Sequence, residues 1–395
     1  MTQGQKSKDF AWPFWPLVPI YPYGQRRTLK REIIPDTLWT FEQVQGIFYV
    51  VVPIRMTVVR LEAGGLLVYA PVAPTRQCLR MMDDLVARYG EVKYIILPTV
   101  TGLEHKVFVG PFARQFPSAQ VFVAPNQWSY PVQLPLSWLG FPRGRTQVLP
   151  QESANTPFSD DFDYQLLGPI GLGLGPFGEA AFYHRRSRSL LLTDTIISIP
   201  NEPPPALDLY PKPLLFHAKD TAFDQPADTP ENRRKGWHRI ALFSVYFAPS
   251  ALDVVPLGET LRRAFKTRDH SRESYFGLYP FAWKPDWEDS FEKLHRNGAL
   301  LVAPVLQSLI LNRAPQETLA WVDQVSQWPF ERIVPCHLSA PLSADAQVFR
   351  QAFSFLYRPG HRSDADPLPE EDFELLYQLD KTLTKRGITP PAKPL

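Results

Sequence analysis

Short apolar runs of strand character follow one another from Gly46 onward and predict a sheet that opens as a meander. The runs are Phe48 to Val52, Met56 to Leu61 and Leu66 to Ala70. Gly64-Gly65 lies between the last two and predicts a hairpin turn. This segment is therefore expected to begin an antiparallel sheet.

Strands and helices alternate after the meander. Thr75 is expected to cap a helix that runs to Tyr89, and Glu104 to Phe116 predicts a helix broken at Pro111. Buried strands are predicted at Tyr94 to Leu97 and Gln120 to Ala124. Further strands, expected in a second antiparallel sheet, lie near Gln147, near Tyr164, at Ala180 to Tyr183 and at Leu190 to Thr193.

The C-terminal half is mainly helical by its pattern. Gly298 to Leu311 is apolar on all sides, which is typical of a buried helix. A short strand is expected at Arg332 to Val334 and a last helix after Ser343. The other predicted helices are Arg239 to Phe247, Leu257 to Phe265, Trp287 to Val302 and Gln316 to Gln327. The order of elements predicts an α/β (α+β) sandwich of two sheets with helices outside.

The N-terminal segment has a different pattern. Prolines at 13, 16, 19 and 22 recur with the three-residue period of polyproline II, and aromatic residues lie between them. This arm either packs on its own domain or docks on a partner or membrane surface, aided by the basic residues that follow it. We divide the chain into an arm (1–32), a main domain (33–360, with an insertion at 200–290) and a C-terminal tail (361–395).

Composition and charge narrow the function classes. The chain has 42 Lys and Arg against 40 Asp and Glu, so nucleic acid is not expected, and an unknown small molecule or protein is the expected partner. Cys78 and Cys336 are too few and too far apart for a disulfide framework or a thiolate zinc site. No secretory signal or membrane-spanning helix is expected, which predicts a soluble, cytoplasmic protein with at most peripheral membrane contact.

Polar residues follow three apolar strands. Glu104 and His105 come after the first, Asp194 after the second and His337 after the third. If they converge, these side chains form an N/O ligand set for one divalent zinc, iron or manganese ion. Taken singly, each also fits a structural role, as a helix first-turn acid, a turn cap or a hydrogen-bonded strand end.

The strand "SLLLTD" ending at Asp194 and the strand "ERIVPCH" ending at His337, in order after Glu104-His105, resemble the metallo-β-lactamase superfamily. More narrowly, "ILPTVTGLEHKVFVGPFARQFPSAQVFVAP", "AAFYHRRSRSLLLTD" and "LVAPVLQSLILNRAP" are similar to an uncharacterised branch found in cyanobacteria and chloroplasts. The resemblance covers roughly residues 30 to 360 in order. It implies a metallo-β-lactamase-like αββα sandwich with the N-terminal arm and a C-terminal helical elaboration.

The resemblance also implies a reduced metal site. Val100 and Gly102 stand where the superfamily motif HxHxDH has its first two histidines, and the loop at Gly168 to Gly178 has no histidine. The first metal position is therefore expected to be absent. The second would consist of Glu104, in place of an aspartate, with His105, Asp194 and His337.

Two functions follow from the resemblance. One is a mononuclear metal-dependent hydrolase of an ester, thioester or phosphoester. The other is a non-catalytic binding or assembly factor at thylakoid or other membrane surfaces, because fold does not dictate activity.

Three other motifs could have a functional role. Gly173 to Gly178 satisfies GxGxxG, but a strand is expected to follow it where a nucleotide site needs a helix, so no nucleotide is predicted. His184 and Arg185 are predicted in a solvated hairpin, with anion binding as the functional alternative. The basic segment Arg233 to Arg239 predicts a solvated face, with an anionic membrane surface or an acidic partner as the alternative.

Overall fold

A computed structural model describes residues 8–12, 20–100, 104–129, 132–357 and 368–393. Fifteen strands lie in this part of the chain. They are Ile20–Tyr21 (β1), Leu29–Ile34 (β2), Leu38–Ile47 (β3), Val50–Arg60 (β4), Leu66–Tyr69 (β5), Val92–Leu97 (β6), Gln120–Val123 (β7), Thr146–Val148 (β8), Phe162–Gly171 (β9), Pro176–His184 (β10), Ser189–Leu192 (β11), Leu252–Val254 (β12), Phe281–Trp283 (β13), Arg332–Pro335 (β14) and Leu342–Ser343 (β15).

Eleven α-helices lie wholly within the same described ranges. They are Arg76–Tyr89 (α1), Lys106–Gln115 (α2), Pro205–Asp208 (α3), Pro211–His217 (α4), Pro230–Tyr246 (α5), Leu257–Ala264 (α6), Trp287–His295 (α7), Pro304–Leu309 (α8), Pro315–Val325 (α9), Ala346–Gln351 (α10) and Glu374–Lys385 (α11). The first begins where predicted, because the Thr75 hydroxyl accepts the N–H of Cys78 and caps the helix.

The strands form two large sheets and one small one. The first sheet has the order β1-β3-β4-β5-β6-β7-β8, with β2 also on β3, and it changes from antiparallel to parallel pairing after β5. The second has the order β15-β14-β11-β10-β9, and β11 and β14 are parallel. A two-stranded sheet of β12 and β13 stands apart from both.

Alternate side chains of the central strands go to opposite faces, and both faces are covered. Between the sheets, Tyr69 of β5 packs on Phe182 of β10 with ring centroids 5.5 Å apart, and its hydroxyl donates to the Ala180 carbonyl at 3.0 Å. The outer face of the first sheet packs on α1 and α2, and that of the second packs on α9 and α10. The predicted αββα sandwich is therefore confirmed.

Four details of the strand prediction are wrong. Strand structure begins before Gly46, in β1, β2 and β3, and Phe48 and Tyr49 form the turn to β4 with φ of 52° and 61°. Aromatic residues accept this backbone here because the ring of Phe48 packs 4.3 Å from that of Tyr275. The strand near Gln147 belongs to the first sheet, and the second sheet is mixed, not purely antiparallel.

The helix predictions also need correction. The second helix begins at Lys106 and continues through Pro111, held by the buried rings of Phe108 and Phe112. The apolar stretch from Gly298 is α-helical only over α8, because Leu301 pairs with Ile197 in a β-bridge and Pro304 fits a first helical position. The helix predicted from Trp287 to Val302 ends at His295.

The described part of the arm packs on its own domain. β1 pairs with β3, and the buried guanidinium of Arg26 donates to the Val44 carbonyl at 3.2 Å and to Gln45 Oε1 at 2.9 Å. The proline repeat at 13–19 lies outside the described residues. Docking of the arm on a partner stays a prediction.

The predicted insertion contains α3 to α6 and the β12–β13 pair, and residues of α3, α4, α5 and this strand pair share one core with the fully buried Trp237. The predicted C-terminal tail contains α11, with Phe373 and Leu376 buried, so its described part is a docked helix. The domain boundaries stay predictions. Across the described ranges, no helix has the length and apolar character needed to cross a membrane.

Acidic residues of the same chain pair with the basic segment at the start of α5. Arg234 binds Glu202 at 2.6 Å, and Lys235 and Arg239 bind the two oxygens of Asp220 at 2.7 Å. Arg233 binds Asp228 and Asp208. Arg239 is buried, with its guanidinium over the rings of Trp283 and Trp287. The predicted solvated face is thus wrong for Arg239, and the segment's positive charge is largely neutralised from within.

Candidate metal centre

The parallel pairing of β11 and β14 brings Asp194 and His337 together. Leu192 is the register partner of Pro335. Asp194 lies two residues after Leu192, and His337 lies two residues after Pro335. Because the carboxyl ends of parallel strands meet at one edge of a sheet, the two side chains lie side by side. His337 Nε2 is 3.0 Å from Asp194 Oδ1.

Glu104 and His105 reach the same point from the first sheet. They lie just before α2, and a β-bridge between Ile54 and His337 joins the two sheets at this end. Glu104 Oε2 lies 3.0 Å from His337 Nε2. Ligand atoms of Glu104, His105 and His337 all lie within 4.8 Å of one another. The structure thus gathers three of the four predicted ligands into one cluster, with Asp194 against its edge.

Backbone carbonyls orient both imidazoles. His105 Nδ1 lies 3.1 Å from the Pro71 carbonyl, and His337 Nδ1 lies 3.1 Å from the Pro53 carbonyl. Each Nδ1–H can donate to its carbonyl, which leaves the Nε2 lone pair free for a metal, an arrangement usual for metal-binding histidines. His105 Nε2 is buried and has no hydrogen-bond partner among the described residues, so these donors fit a divalent ion.

The charges of the cluster are strongly coupled. Burial disfavours the imidazolium of His337, but the carboxylates of Glu104 and Asp194 outweigh burial and raise its pKa well above the usual value. Partial burial likewise disfavours ionised Glu104, yet His337 lowers the pKa of Glu104 to about 2. Burial lowers the pKa of His105, which keeps its ring neutral. The protein groups alone therefore form a carboxylate–imidazolium–carboxylate triad.

Glu179 holds the loop that carries Asp194. Its role was not predicted from the sequence. Its buried carboxylate accepts the backbone N–H groups of Thr193 at 2.6 Å, Asp194 at 3.1 Å and Thr195 at 3.0 Å. Burial and the nearby charge of Asp194 raise the pKa of Glu179 to about 7. A charged residue inside the apolar strand sequence "GEAAFY" was the available signal.

Arg55 supports the His337 loop in the same way. Its Nε donates to Glu42 Oε1 at 2.9 Å, its Nη2 donates to the Leu338 carbonyl at 2.6 Å, and its Nη1 donates to the Pro335 carbonyl. The side chains of Arg55 and Glu42 are each only 1% exposed. An arginine within the apolar run "VVPIRMTVV" was again the sequence signal, although its role could not be predicted from it.

Val100, at one of the positions expected for the first metal, is not part of the cluster of candidate ligands. Val100 is buried, and its Cγ2 would lie 2.9 Å from a Cβ added at Gly178, so this pair is a close apolar contact. Gly102 lies outside the described residues. Gly173 lies in the turn from β9 to β10, and β10 follows as the predicted strand, so no helix follows the GxGxxG string.

His184 and Arg185 lie at the turn from β10 to β11. His184 is fully buried, not solvated, because its ring packs on Phe162 and its Nδ1 lies 2.6 Å from Ser187 Oγ. The guanidinium of Arg185 binds both carboxylate oxygens of Asp163. Anion binding stays a prediction, and it would require Asp163 to leave Arg185.

A cavity of about 820 Å³ opens onto the cluster, and Glu104, His105, Asp194 and His337 all line it. The side chains of Glu104 and Asp194 are 37% and 31% exposed, and that of His337 is 12% exposed. A volume of this size is ordinary for a small-molecule site. A ligand in the cavity would therefore contact the candidate metal-binding groups directly.

Several solved structures are similar to this chain. A metal-soaked flavodiiron core from Synechocystis sp. PCC6803 is 10% identical, with a TM-score of 0.40 over 84% of this chain, and the match spans 61% of that chain. A DIM-1 metallo-β-lactamase exposed to ceftazidime is 9% identical, with a TM-score of 0.39 over 83% of this chain and 96% of the other.

A fragment of the putative diflavin flavoprotein A 5 from Nostoc sp. PCC 7120 is 11% identical, with a TM-score of 0.40 over 84% of this chain and 95% of the fragment. Comparison with curated protein sequences finds no match. One family model matches residues 35–355, which is most of the chain and includes all four predicted ligands. The chain therefore belongs to the family described as Domain of unknown function (DUF4336).

Proposed function

We propose that this protein is a mononuclear metal-dependent hydrolase of an ester, thioester or phosphoester. One observation carries the proposal: the imidazoles of His105 and His337, each held at Nδ1 by a backbone carbonyl, have ligand atoms within 4.8 Å of one another and of a Glu104 carboxylate oxygen, and all three residues line a cavity. Three protein ligands with room for a fourth is the arrangement of catalytic zinc sites, whereas structural sites are closed.

Glu104, His105 and His337 would hold the ion. When bound, a divalent zinc, iron or manganese ion lowers the pKa of water and polarises a carbonyl or phosphoryl group. Asp194 lies beside His337 but outside the three-residue cluster, so its carboxylate is available to accept a proton from the attacking water. Glu179 keeps Asp194 in place by holding its backbone N–H and those of both neighbours.

Metal content tests the ligand assignment. The purified wild-type protein should contain about one equivalent of zinc, iron or manganese per chain by elemental analysis. His105→Asn and His337→Asn should each lose it, because asparagine can replace the Nδ1–H donor to Pro71 or Pro53 but supplies no atom at the Nε2 position. His270→Asn, an exposed position, serves as the matched control and should keep the metal. A wild type that holds no metal, and whose melting temperature is unchanged by these ions, would contradict the assignment.

The role of Asp194 needs a separate variant. Asp194→Asn should keep the metal but lower the rate of ester hydrolysis by at least about 10²-fold, because an amide cannot accept the proton. The measurement is kcat on a panel of carboxylic, thio- and phosphoesters with metal content determined on the same samples. Loss of metal in this variant would instead make Asp194 a ligand, and an unchanged rate would remove it from the reaction.

A second candidate is a non-catalytic binding or assembly factor. It is supported by the ion triad of Glu104, His337 and Asp194, whose charges satisfy one another through two contacts of 3.0 Å. The metal measurement separates the candidates, since a scaffold would fold and persist equally well after chelation. Membership of the cyanobacterial and chloroplast branch, and contact with a thylakoid surface, remain predictions from sequence resemblance.

A further inference from the structure

One wall of the cavity is a β-hairpin that extends past the candidate metal centre. Gln45, Ile47, Val50 and Val52 all line the cavity, and the register pairs Ile47 with Val50 and Gln45 with Val52. Their alternation along each strand puts them on one face. The hairpin thus presents a mainly apolar surface to the cavity.

The length of this wall follows from the strand geometry. His337 forms its β-bridge with Ile54, so the metal centre lies level with that residue of β4. Val50 lies four residues further toward the turn, which is about 13 Å at the rise of a strand. A molecule with its reacting group at the centre can therefore lie along the wall for about this distance.

Residues of two helices also line the cavity, and these too are apolar. Phe243 of α5, Phe247 just after it, and Val305, Leu306 and Ile310 on and after α8 line the cavity. Ile47 and Phe247 are 55% and 39% exposed, which places apolar side chains at the solvent-facing rim as well. Their exposure costs free energy in water, and an apolar ligand would remove part of that cost.

The charges in the lining exclude one class of ligand. Among the described residues, no lysine or arginine lines the cavity, and its charged or titratable groups are confined to the metal centre. Phosphate-rich groups such as nucleotides would be desolvated here without a cationic partner, which is unfavourable. The cavity therefore favours an uncharged body with one polar reacting group.

We infer that the substrate is a carboxylic ester or thioester with a long apolar chain, whose carbonyl lies at the metal centre and whose chain lies between the hairpin and the two helices. This inference rests on the proposed function and names its substrate class. In the reaction, the water oxygen bonds to the acyl carbon and the acyl C–O or C–S bond breaks. The proton accepted by Asp194 goes to the leaving oxygen or sulfur, which yields one carboxylic acid and one alcohol or thiol.

Alkyl carboxylates, which resemble the acid product, provide the test. Isothermal titration with hexanoate, octanoate, decanoate and dodecanoate should give dissociation constants that tighten about fourfold per added methylene, which corresponds to about 0.8 kcal/mol of burial. Val305→Trp, which fills the cavity from α8, should remove most of this gain for the longer chains while leaving metal content unchanged. Leu261→Trp, on the exposed face of α6 outside the cavity, should keep wild-type binding.

The titrations are run on zinc-loaded and on chelator-treated protein, so that the two claims can fail separately. Metal binding with hydrolysis of short esters, but without chain-length dependence, would overturn this inference and leave the proposed function standing. Chain-length-dependent binding to protein that takes up no metal would overturn the proposed function and leave the apolar site standing. Equal binding of dodecanoate by wild type and Val305→Trp would also overturn the inference.

Discussion

Arg55→Met should lower the free energy of unfolding by about 3–5 kcal/mol, because it removes one member of a fully buried ion pair. The remaining Glu42 carboxylate would keep only Arg31, at 2.6 Å, and the carbonyls of Pro335 and Leu338 would lose their donor. Those carbonyls flank His337, so we also expect the variant to bind metal more weakly. Urea denaturation of both proteins measures the difference.

An exposed ion pair of the same chain supplies the control for Arg55. Arg350 binds Asp323 at 2.6 Å, with both side chains about half exposed, and Arg350→Met should cost less than about 1 kcal/mol. Combining Arg55→Met with Glu42→Gln should recover part of the loss, because no unpaired buried charge then remains. If Arg55→Met costs no more than Arg350→Met, the ion pair does not support the site.

Acid should destabilise the protein through two histidines remote from the metal centre. His184 and His217 are fully buried, and burial lowers the pKa of each to about 3. In the unfolded chain, each of these histidines binds a proton near the usual pKa of about 6.5. The free energy of unfolding is therefore unaffected by them above that pH and decreases as the pH falls toward 3, because only the unfolded chain gains the protons. At pH 5 the loss is about 2 kcal/mol for each residue, or about 4 kcal/mol together.

Non-titrating variants isolate this effect from the other acid-sensitive groups. His184→Asn can keep the hydrogen bond to Ser187, and His217→Gln can keep that to the Phe48 carbonyl. Each should reduce the difference in unfolding free energy between pH 7 and pH 5 by about 2 kcal/mol, measured by urea denaturation at both pH values. The exposed His270 offers the control, and His270→Asn should leave the difference unchanged. A wild-type slope in both test variants would contradict the prediction.

The candidate ligands illustrate how far the sequence alone can go. Glu104, His105, Asp194 and His337 could be named because each follows an apolar strand, and chemistry tends to gather at strand ends. The sequence could not show which three of these residues form the cluster and which one lies beside it. Asp194 lies against His337 and outside the three-residue set because of the parallel register of β11 and β14, which joins segments far apart in the chain.

The supporting residues were missed for a related reason. Glu179 and Arg55 look like isolated charges in apolar strands, and nothing local states which backbone groups they bind. Their partners are 14 to 16 residues away for Glu179 and about 280 residues away for Arg55. The contacts of Glu179 depend on the pairing of β10 with β11 in the second sheet, and those of Arg55 depend on the packing of the two sheets, so periodicity and motif spacing reveal neither.

By itself, the sequence determined the alternation of strands and helices, the αββα sandwich and the strand ends that bear the candidate ligands, because these depend on the local period of apolar residues. The tertiary structure decided that three ligands cluster, that buried charges hold their loops, and that β3, β4, α5 and α8 enclose an apolar cavity beside them. It also decided that the apolar stretch from Gly298 shortens to one brief helix, because Leu301 pairs with Ile197. Contacts between distant segments outweighed local helical preference there.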